Sequence, residues 1–493
     1  MQQLTGIDTL FLTQETERTP LHISPLLIYD PSTAPGGKVR FKDILRLFGS
    51  RLHLAPIFRR RLVEVPMGLD YPYWVEADDF DLEFHVRHIA LPQPGDWRQL
   101  CIQVARLHAR ILDRSRPLWE VYVIEGLDNI EGLPKGCFAL FLKMHHAAID
   151  GVSGAEIIGA IHDTEPRAVP HESPAAAPWQ PEAPPSQTQL VMRAWLNNLR
   201  QPVRLAQTVG SLLPAAKRIR DGLRENRFRH IRERVNTRFN GRIGAHRVVN
   251  ARFFPLAQIK AIKDLVPGAT VNDVVVTIVA GALRNYLLAK GELPAVSLVA
   301  GAPINVRTEA DQGSGGNLVS MMTLSIYTDI ADPIERLHQV HDECLSSKEY
   351  SSAVGARTLT DLTQTIPARV AALGFRAASQ TMLMTGATSP INTIISNVPG
   401  PQVPLYMAGA RLLCSAGCGP LLDHMGLFHA VLSYHGGISV TVTACRDMLP
   451  DPDFYAECIH ASYDELKQAA EALGRTRAKA LRGRRRAREA GRA

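Results

Sequence analysis

Two adjacent histidines, followed after three residues by Asp-Gly, mark the place in this chain where chemistry is expected: Lys143-Met-His-His-Ala-Ala-Ile-Asp-Gly151. An apolar run, Cys137–Met144, leads into His145 and His146. A histidine at the end of a buried strand can take a proton from a hydroxyl at neutral pH. Neighbouring side chains on an extended strand point to opposite sides, so only one of the pair can face a given cavity and the other must support it. Asp150 opens the next helical stretch, Val152–Ile161, where its carboxylate can cap backbone N–H groups or hold an arginine. Gly151 lets the chain turn tightly behind the pair. Composition predicts about 0.002 chance occurrences of HHxxxDG in a chain with these residue counts. The plainer alternative is two satisfied core histidines at a strand end. No third His, Cys or Glu stands nearby at metal spacing, so a zinc site is not supported. The chain also has no GxSxG elbow, P-loop or dinucleotide GxGxxG, which argues against serine hydrolases, NTPases and Rossmann oxidoreductases.

The elements that must hold these residues fall into two halves. With 493 residues, the chain exceeds one ordinary core. From Pro166 to Pro185 there are seven prolines in twenty residues, an extended linker composition. Before it, Arg98–Leu112 has helical periodicity, and Trp119–Glu125 and Cys137–Met144 are read as strands. After it comes a helical stretch with Leu190, Val191, Ala194, Trp195 and Leu199 on one side, then an Arg-rich run. Beyond 245, strands are expected at Val248–Phe254, Val296–Ala302, Leu318–Tyr327, Ile391–Ser396 and Ile438–Thr443. A buried helix is expected at Thr270–Leu288, with Asn272 and Asp273 at its start. The predicted fold is α/β (α+β): a subdomain at 1–165 and a second at 245–473, each a mixed sheet with helices. Between them, 166–244 is a linker and basic helical connector, and 474–493 is a basic tail expected to be disordered.

The formal charge of +7 is unevenly placed. Residues 474–493 carry +8 and residues 190–238 carry +9, leaving −10 for the rest. An acidic body with two basic appendages argues against a nucleic-acid-binding face and fits an anionic lipid surface or a solvated tail. The connector equally fits a linker packed on both halves. No stretch is expected to span a bilayer, and Met1–Phe11, with Asp8 and no basic start, is not expected to be a secretory signal. Seven scattered cysteines fit reduced thiols.

The motif and its flanks together resemble the bacterial wax ester synthase / acyl-CoA:diacylglycerol acyltransferase family, within the HHxxxDG CoA-dependent acyltransferases. Leu112–Glu120 (LDRSRPLWE) is similar to a family segment, as are Phe80-Asp-Leu82, His85-Val-Arg87 and Leu91–Gly95 (LPQPG). Val271–Val274 (VNDV), Gly316–Ser320 (GNLVS) and Ser396–Pro401 (SNVPGP) resemble its later blocks, and Asp8, Phe11 and Pro20-Leu-His22 its start. The resemblance runs from about Asp8 to Asp453. The Pro/Ala linker and the charged tail stand outside its motif blocks.

This resemblance implies two subdomains facing a central channel, with acyl-CoA and an alcohol acceptor entering from different sides. It implies an O-acyltransferase moving a long-chain acyl group from acyl-CoA to diacylglycerol, giving triacylglycerol, or to a fatty alcohol, giving wax ester. His146 is then the general base, with no acyl-enzyme, and His145 its support. Asp150 shapes the loop by pairing with an arginine, for which Arg307 is a candidate. Asn272 is a candidate donor to substrate or oxyanion, against the alternative that Asn272 and Asp273 only cap their helix. Pro117, Leu118 and Trp119 shape the channel or the fold, and Ser396 and Asn397 form a turn beside the cavity. No cofactor is implied, since acyl-CoA is a substrate. The alternatives are a related transferase acting on another hydroxyl, and a non-catalytic lipid-surface protein, which the intact motif disfavours. Such substrates imply a cytoplasmic enzyme attached peripherally to the inner face of a membrane or to lipid inclusions. Oligomeric state is left open.

Overall fold

The computed structural model describes residues 1–149, 154–166, 183–199, 234–305, 319–354 and 368–490. Asp150, Gly151 and Arg307 lie outside the described residues, as do most of the Pro/Ala linker, residues 200–233 and the first part of the Gly316–Ser320 block.

Two six-stranded mixed sheets organise the chain. The first runs, edge to edge, Tyr406–Met407, Ala410–Cys418, His22–Asp30, Phe138–His145, Trp119–Glu125 and Val86–Ala90. All eight residues of Phe138–His145 are buried, which explains its continuous apolar run: a central strand covered on both faces has no polar side to show. Phe138, Leu140, Leu142 and Met144 pack into a core with Phe48, Phe58 and Trp119. Ala139 and Phe141 on the other face meet a core that includes Val249 and Ala251 of the second half. The strand ending in His145 therefore lies where the halves join.

Sheet membership departs from the expected division of the chain at one place. Ala410–Cys418, inside the 245–473 stretch, pairs antiparallel with His22–Asp30 on one side and with Tyr406–Met407 on the other, which completes the first sheet at its edge. The crossing is fastened by Asp163, whose N–H and C=O exchange hydrogen bonds with Tyr406 at 2.8 Å each. The Asp163 carboxylate is paired with buried Arg51 at 2.6 Å. The strand Ala410–Cys418 is not among those expected from the sequence, and a local apolar pattern carries no information on which sheet a strand joins.

The second sheet runs Val319–Ser325, Val299–Asn305, Thr393–Pro399, Leu427–Tyr434, Gly437–Cys445 and Arg247–Pro255. Its core is built around the helix Val271–Ala289, capped by Thr270 in a reciprocal capping box with Asp273. That helix is long and apolar enough to cross a membrane, contrary to the expectation of no such stretch. Because 72% of its apolar window is buried in the fold, it is the core helix of this half. The last helix, Pro452–Ala490, packs on it and continues through most of the stretch expected to be a disordered tail. The correction has a simple cause: Arg and Ala dominate 475–490, and both are strong helix formers. The seven cysteines are free thiols, six of them buried and Cys414 half-buried.

Candidate active site

The sequence places the two histidines at the end of a buried strand, and backbone hydrogen bonds to both sides hold them there. His145 N–H donates to the carbonyl of Leu118 at 3.0 Å, and His146 N–H donates to that of Leu21 at 2.9 Å. The extended strand ends at His145, and His146 begins a short 3-10 turn, His146–Ala148. The turn, rather than the pleat alone, sends the two rings into different surroundings. His145 is fully buried, and its Nδ1 accepts from the N–H of Ala147 at 3.1 Å. That lone pair places the ring proton on Nε2, which lies 3.4 Å from a Glu15 carboxylate oxygen, within ion-pair distance but outside hydrogen-bond geometry. His146 is half-buried, and its ring stacks on Phe11 with centroids 4.0 Å apart. Burial, with the adjacent His145 as a smaller cause, lowers the His146 pKa from 6.5 to about 4. The imidazole is therefore neutral at pH 7 and able to accept a proton.

Phe11 and Glu15 come from one element, the first helix (Gly6–Gln14) and its C-cap, where Glu15 N–H donates to the Phe11 carbonyl. One turn of chain thus reaches both histidines. The same Glu15 oxygen that faces His145 lies 3.2 Å from Nε2 of buried His22, the cross-strand partner of His145. It also accepts from the N–H of Leu21 at 3.1 Å. The other Glu15 oxygen is held by Arg114 at 2.9 Å, and Arg114 donates to the Leu12 carbonyl at 2.6 Å as well. Burial alone would raise the Glu15 pKa, but His145 and His22 hold this carboxyl well below the usual carboxylate range. Sequence reasoning missed Glu15 altogether. An acid just past a helix end has no spacing signature linking it to histidines 7 and 130 residues away. Helix Ala368–Thr385 of the second half lies against the first helix, and Arg376 donates to the Thr13 carbonyl.

The Pro117-Leu118-Trp119 block meets the histidine pair through backbone and core rather than through a reactive side chain. Leu118 supplies the carbonyl for His145, and Trp119 is fully buried in an aromatic stack with Phe48, Phe58 and His85. Its indole N–H donates to the Phe58 carbonyl at 3.2 Å, and its own carbonyl accepts from His85 at 2.7 Å.

Asn272, Asp273, Ser396 and Asn397 gather on the second sheet and its core helix. Asn397 Nδ2 donates to Asn272 Oδ1 at 3.2 Å, joining two sequence-predicted residues. Asp273 is buried, completes the helix cap by accepting from Thr270 N–H at 2.8 Å, and meets His341 at 2.9 Å. Capping accounts for Asp273, whereas Asn272 is half-buried and presents its amide beside Asn397. Ser396 is half-buried on the same strand, Thr393–Pro399. A pocket of about 430 Å³ opens at the seam of the two sheets, lined by Phe253, Leu413, Cys414, Leu432, Tyr434 and Ile438 among others. None of the sequence-predicted site residues lines it.

Known proteins are similar to this one over nearly the whole chain. Residues 4–275 match the wax ester synthase/diacylglycerol acyltransferase catalytic domain, and residues 315–467 match the WS/DGAT C-terminal domain. A putative diacylglycerol O-acyltransferase of Mycobacterium tuberculosis is 34% identical over 96% of this chain and 91% of its own length. The solved wax ester synthase/diacylglycerol acyltransferase from Marinobacter aquaeolei VT8 is 26% identical. The match covers 95% of this chain and all of that one, with a TM-score of 0.63. The first condensation domain of the calcium-dependent antibiotic synthetase shares the fold at 14% identity and a TM-score of 0.55, over 95% of each chain. The fold and site thus define a two-subdomain CoA-dependent acyltransferase. This chain belongs to the wax ester synthase/diacylglycerol acyltransferase family and is an O-acyltransferase.

Proposed function

We propose that this enzyme transfers a long-chain acyl group from acyl-CoA directly to the hydroxyl of diacylglycerol, of a long-chain alcohol, or of both. The observation that carries the mechanism is the position of the half-buried His146 imidazole, held by its backbone N–H on the Leu21 carbonyl and by the stack on Phe11. Burial lowers its pKa to about 4, so the ring is neutral at pH 7. His146 takes the proton of the acceptor hydroxyl as that oxygen attacks the thioester carbonyl. The tetrahedral oxyanion collapses, the C–S bond breaks, and the leaving CoA sulfur takes the proton back from His146, giving ester and CoA–SH. A group must stabilise the oxyanion. Asn272 suits this role because Asn397 occupies its Oδ1 and leaves the amide Nδ2–H₂ to donate. A single turnover with acyl-labelled palmitoyl-CoA tests direct transfer. The label should pass to the acceptor and none should remain on denatured protein; label retained on protein before acceptor is added would require a covalent intermediate instead.

These acceptors partition into lipid, so the same reading includes peripheral attachment to the inner face of a membrane or to lipid inclusions. Helix 187–199 supports it. Leu190 and Ala194 dock on Val65, Tyr73 and Val75, while Met192 (59% exposed), Trp195 (62%) and Leu199 (58%) face outward. Met67, 72% exposed, sits on the neighbouring 65–70 turn, which Asn198 grips through the Leu69 carbonyl. A cluster of this kind is rare on a soluble surface without a partner. The basic residues of 190–238 and of the tail add attraction of about 1 kcal/mol each near an anionic surface. The double variant Met192→Ser/Trp195→Ser is expected to bind anionic vesicles about tenfold more weakly, with unchanged turnover of a short, water-soluble alcohol. Unchanged sedimentation with vesicles would remove this helix from the account.

A further inference from the structure

Resting on the reading of His146 as the base, we infer that Glu15, anchored by Arg114, is a positioning residue: it fixes the ring of His145 and, through it, the turn that aims His146. The chain of contacts is short and continuous. Arg114, from the LDRSRPLWE block, holds one Glu15 oxygen at 2.9 Å. The other oxygen faces Nε2 of His145 at 3.4 Å and Nε2 of His22 at 3.2 Å. His145 then receives the Ala147 N–H on Nδ1, and Ala147 is the middle residue of the turn that begins with His146.

Three features make this arrangement directional. First, a carboxylate accepts and never donates, so it selects the His145 tautomer with hydrogen on Nε2, the one tautomer that leaves Nδ1 able to accept from Ala147. The other tautomer would set two donors against each other at Ala147 and a lone pair against the Glu15 carboxylate, and a ring flip would put C–H groups at both positions, in a site with no exposure to water. Second, Arg114 is about one-third exposed while Glu15 is almost fully buried, so the guanidinium neutralises the buried charge from the solvent side. Third, the segment that carries Glu15 also carries Phe11, which stacks on His146. A loss of the Glu15 anchor would therefore loosen both faces of the motif together. Arg114 gains a function that the sequence motif did not supply: it acts on the histidines through Glu15, without touching substrate.

Three variants test this: Glu15→Gln, Arg114→Gln and their combination, with His146→Ala alongside. Glutamine is isosteric and still offers one carbonyl oxygen, so the fold should survive; a melting curve checks this. For Glu15→Gln, kcat should fall on the order of 10–100-fold, the scale seen when an outer partner of a reactive group is removed. KM for acyl-CoA should move by no more than about twofold, because substrate contacts are untouched. Arg114→Gln should lose less in the same direction. The double variant should be no worse than Glu15→Gln alone within about twofold, since both changes break one chain of contacts. A Glu15→Gln enzyme with wild-type kcat, or losses that multiply in the double variant, would overturn the proposal. If Glu15→Gln fails to fold, the kcat-against-KM split of Arg114→Gln decides alone: wild-type kcat there also overturns it. Full activity of His146→Ala would instead overturn the base assignment, so the two failures are distinguishable.

Discussion

The His146→Ala variant is expected to lose kcat by about 10²–10⁴-fold while remaining folded, the range that removal of a positioned general base produces. The side chain is half-buried and stacks on the Phe11 ring, a contact worth about 0.5–1.5 kcal/mol to the fold. His145→Ala should behave differently. That ring is fully buried, and its removal opens a cavity and strips Glu15 of a partner, so stability should fall along with activity by about 2–5 kcal/mol. The contrast between the two variants separates base from support without relying on activity alone. The lowered His146 pKa adds a pH signature. A base is active when unprotonated, so an ordinary histidine would lose half its activity at pH 6.5. With a pKa of about 4, kcat/KM should stay flat from pH 8 down to pH 6. A half-loss near pH 6.5 would show that the ring titrates as if solvated.

Acid should begin to destabilise this protein well before its carboxylates titrate. His22, His108, His162 and His429 are all buried, and burial lowers their pKa values from 6.5 to about 4, 3, 4 and 3. Each is neutral in the folded state down to that value, whereas the same residue in the unfolded chain takes up a proton near pH 6.5. The stabilisation is therefore complete above pH 6.5 and is lost as pH falls towards the folded pKa. One such histidine contributes a slope of about 1.4 kcal/mol per pH unit, and four give up to about 5 kcal/mol per unit. Against a total stability of about 5–15 kcal/mol, the acid midpoint should lie above pH 4. Urea unfolding at pH 7.5, 6.5 and 5.5 measures this directly. Equal unfolding free energies at 7.5 and 5.5 would mean that these histidines take up protons in the folded state as readily as in the unfolded chain.

Much of the fold was legible because burial and periodicity leave direct traces. The runs Trp119–Glu125, Cys137–Met144 and Val248–Phe254 are strands within about a residue of their expected ends, and Thr270–Leu288 is the core helix shifted by one. Two things were not legible. The crossing of 406–418 to the first sheet depends on long-range pairing, which a local apolar pattern cannot encode. The helical state of 475–490 is hidden by its charge, which resembles a solvated end, although its residues individually favour helix. Within the site, HHxxxDG and the blocks around it stood out in the sequence. Asp150, Gly151 and Arg307 lie outside the described residues, so their expected roles stand as the resemblance left them. The Asn272–Asn397 bond joins two residues singled out separately. The Arg114–Glu15–His145 chain could not be anticipated. Its members are far apart in sequence, and a lone acid or arginine on a surface-like stretch reads as solvated until folding brings it beneath a histidine.

The central claim is that His146 deprotonates a lipid hydroxyl that attacks acyl-CoA. Release of CoA from palmitoyl-CoA tests it most directly, measured with no acceptor, with hexadecanol and with dioleoylglycerol, for the wild type and for His146→Ala. The account predicts release that requires an acceptor, yields one ester per CoA, and drops by at least about a hundredfold in the variant. Release at the same rate with and without either acceptor, or undiminished in His146→Ala, would contradict it.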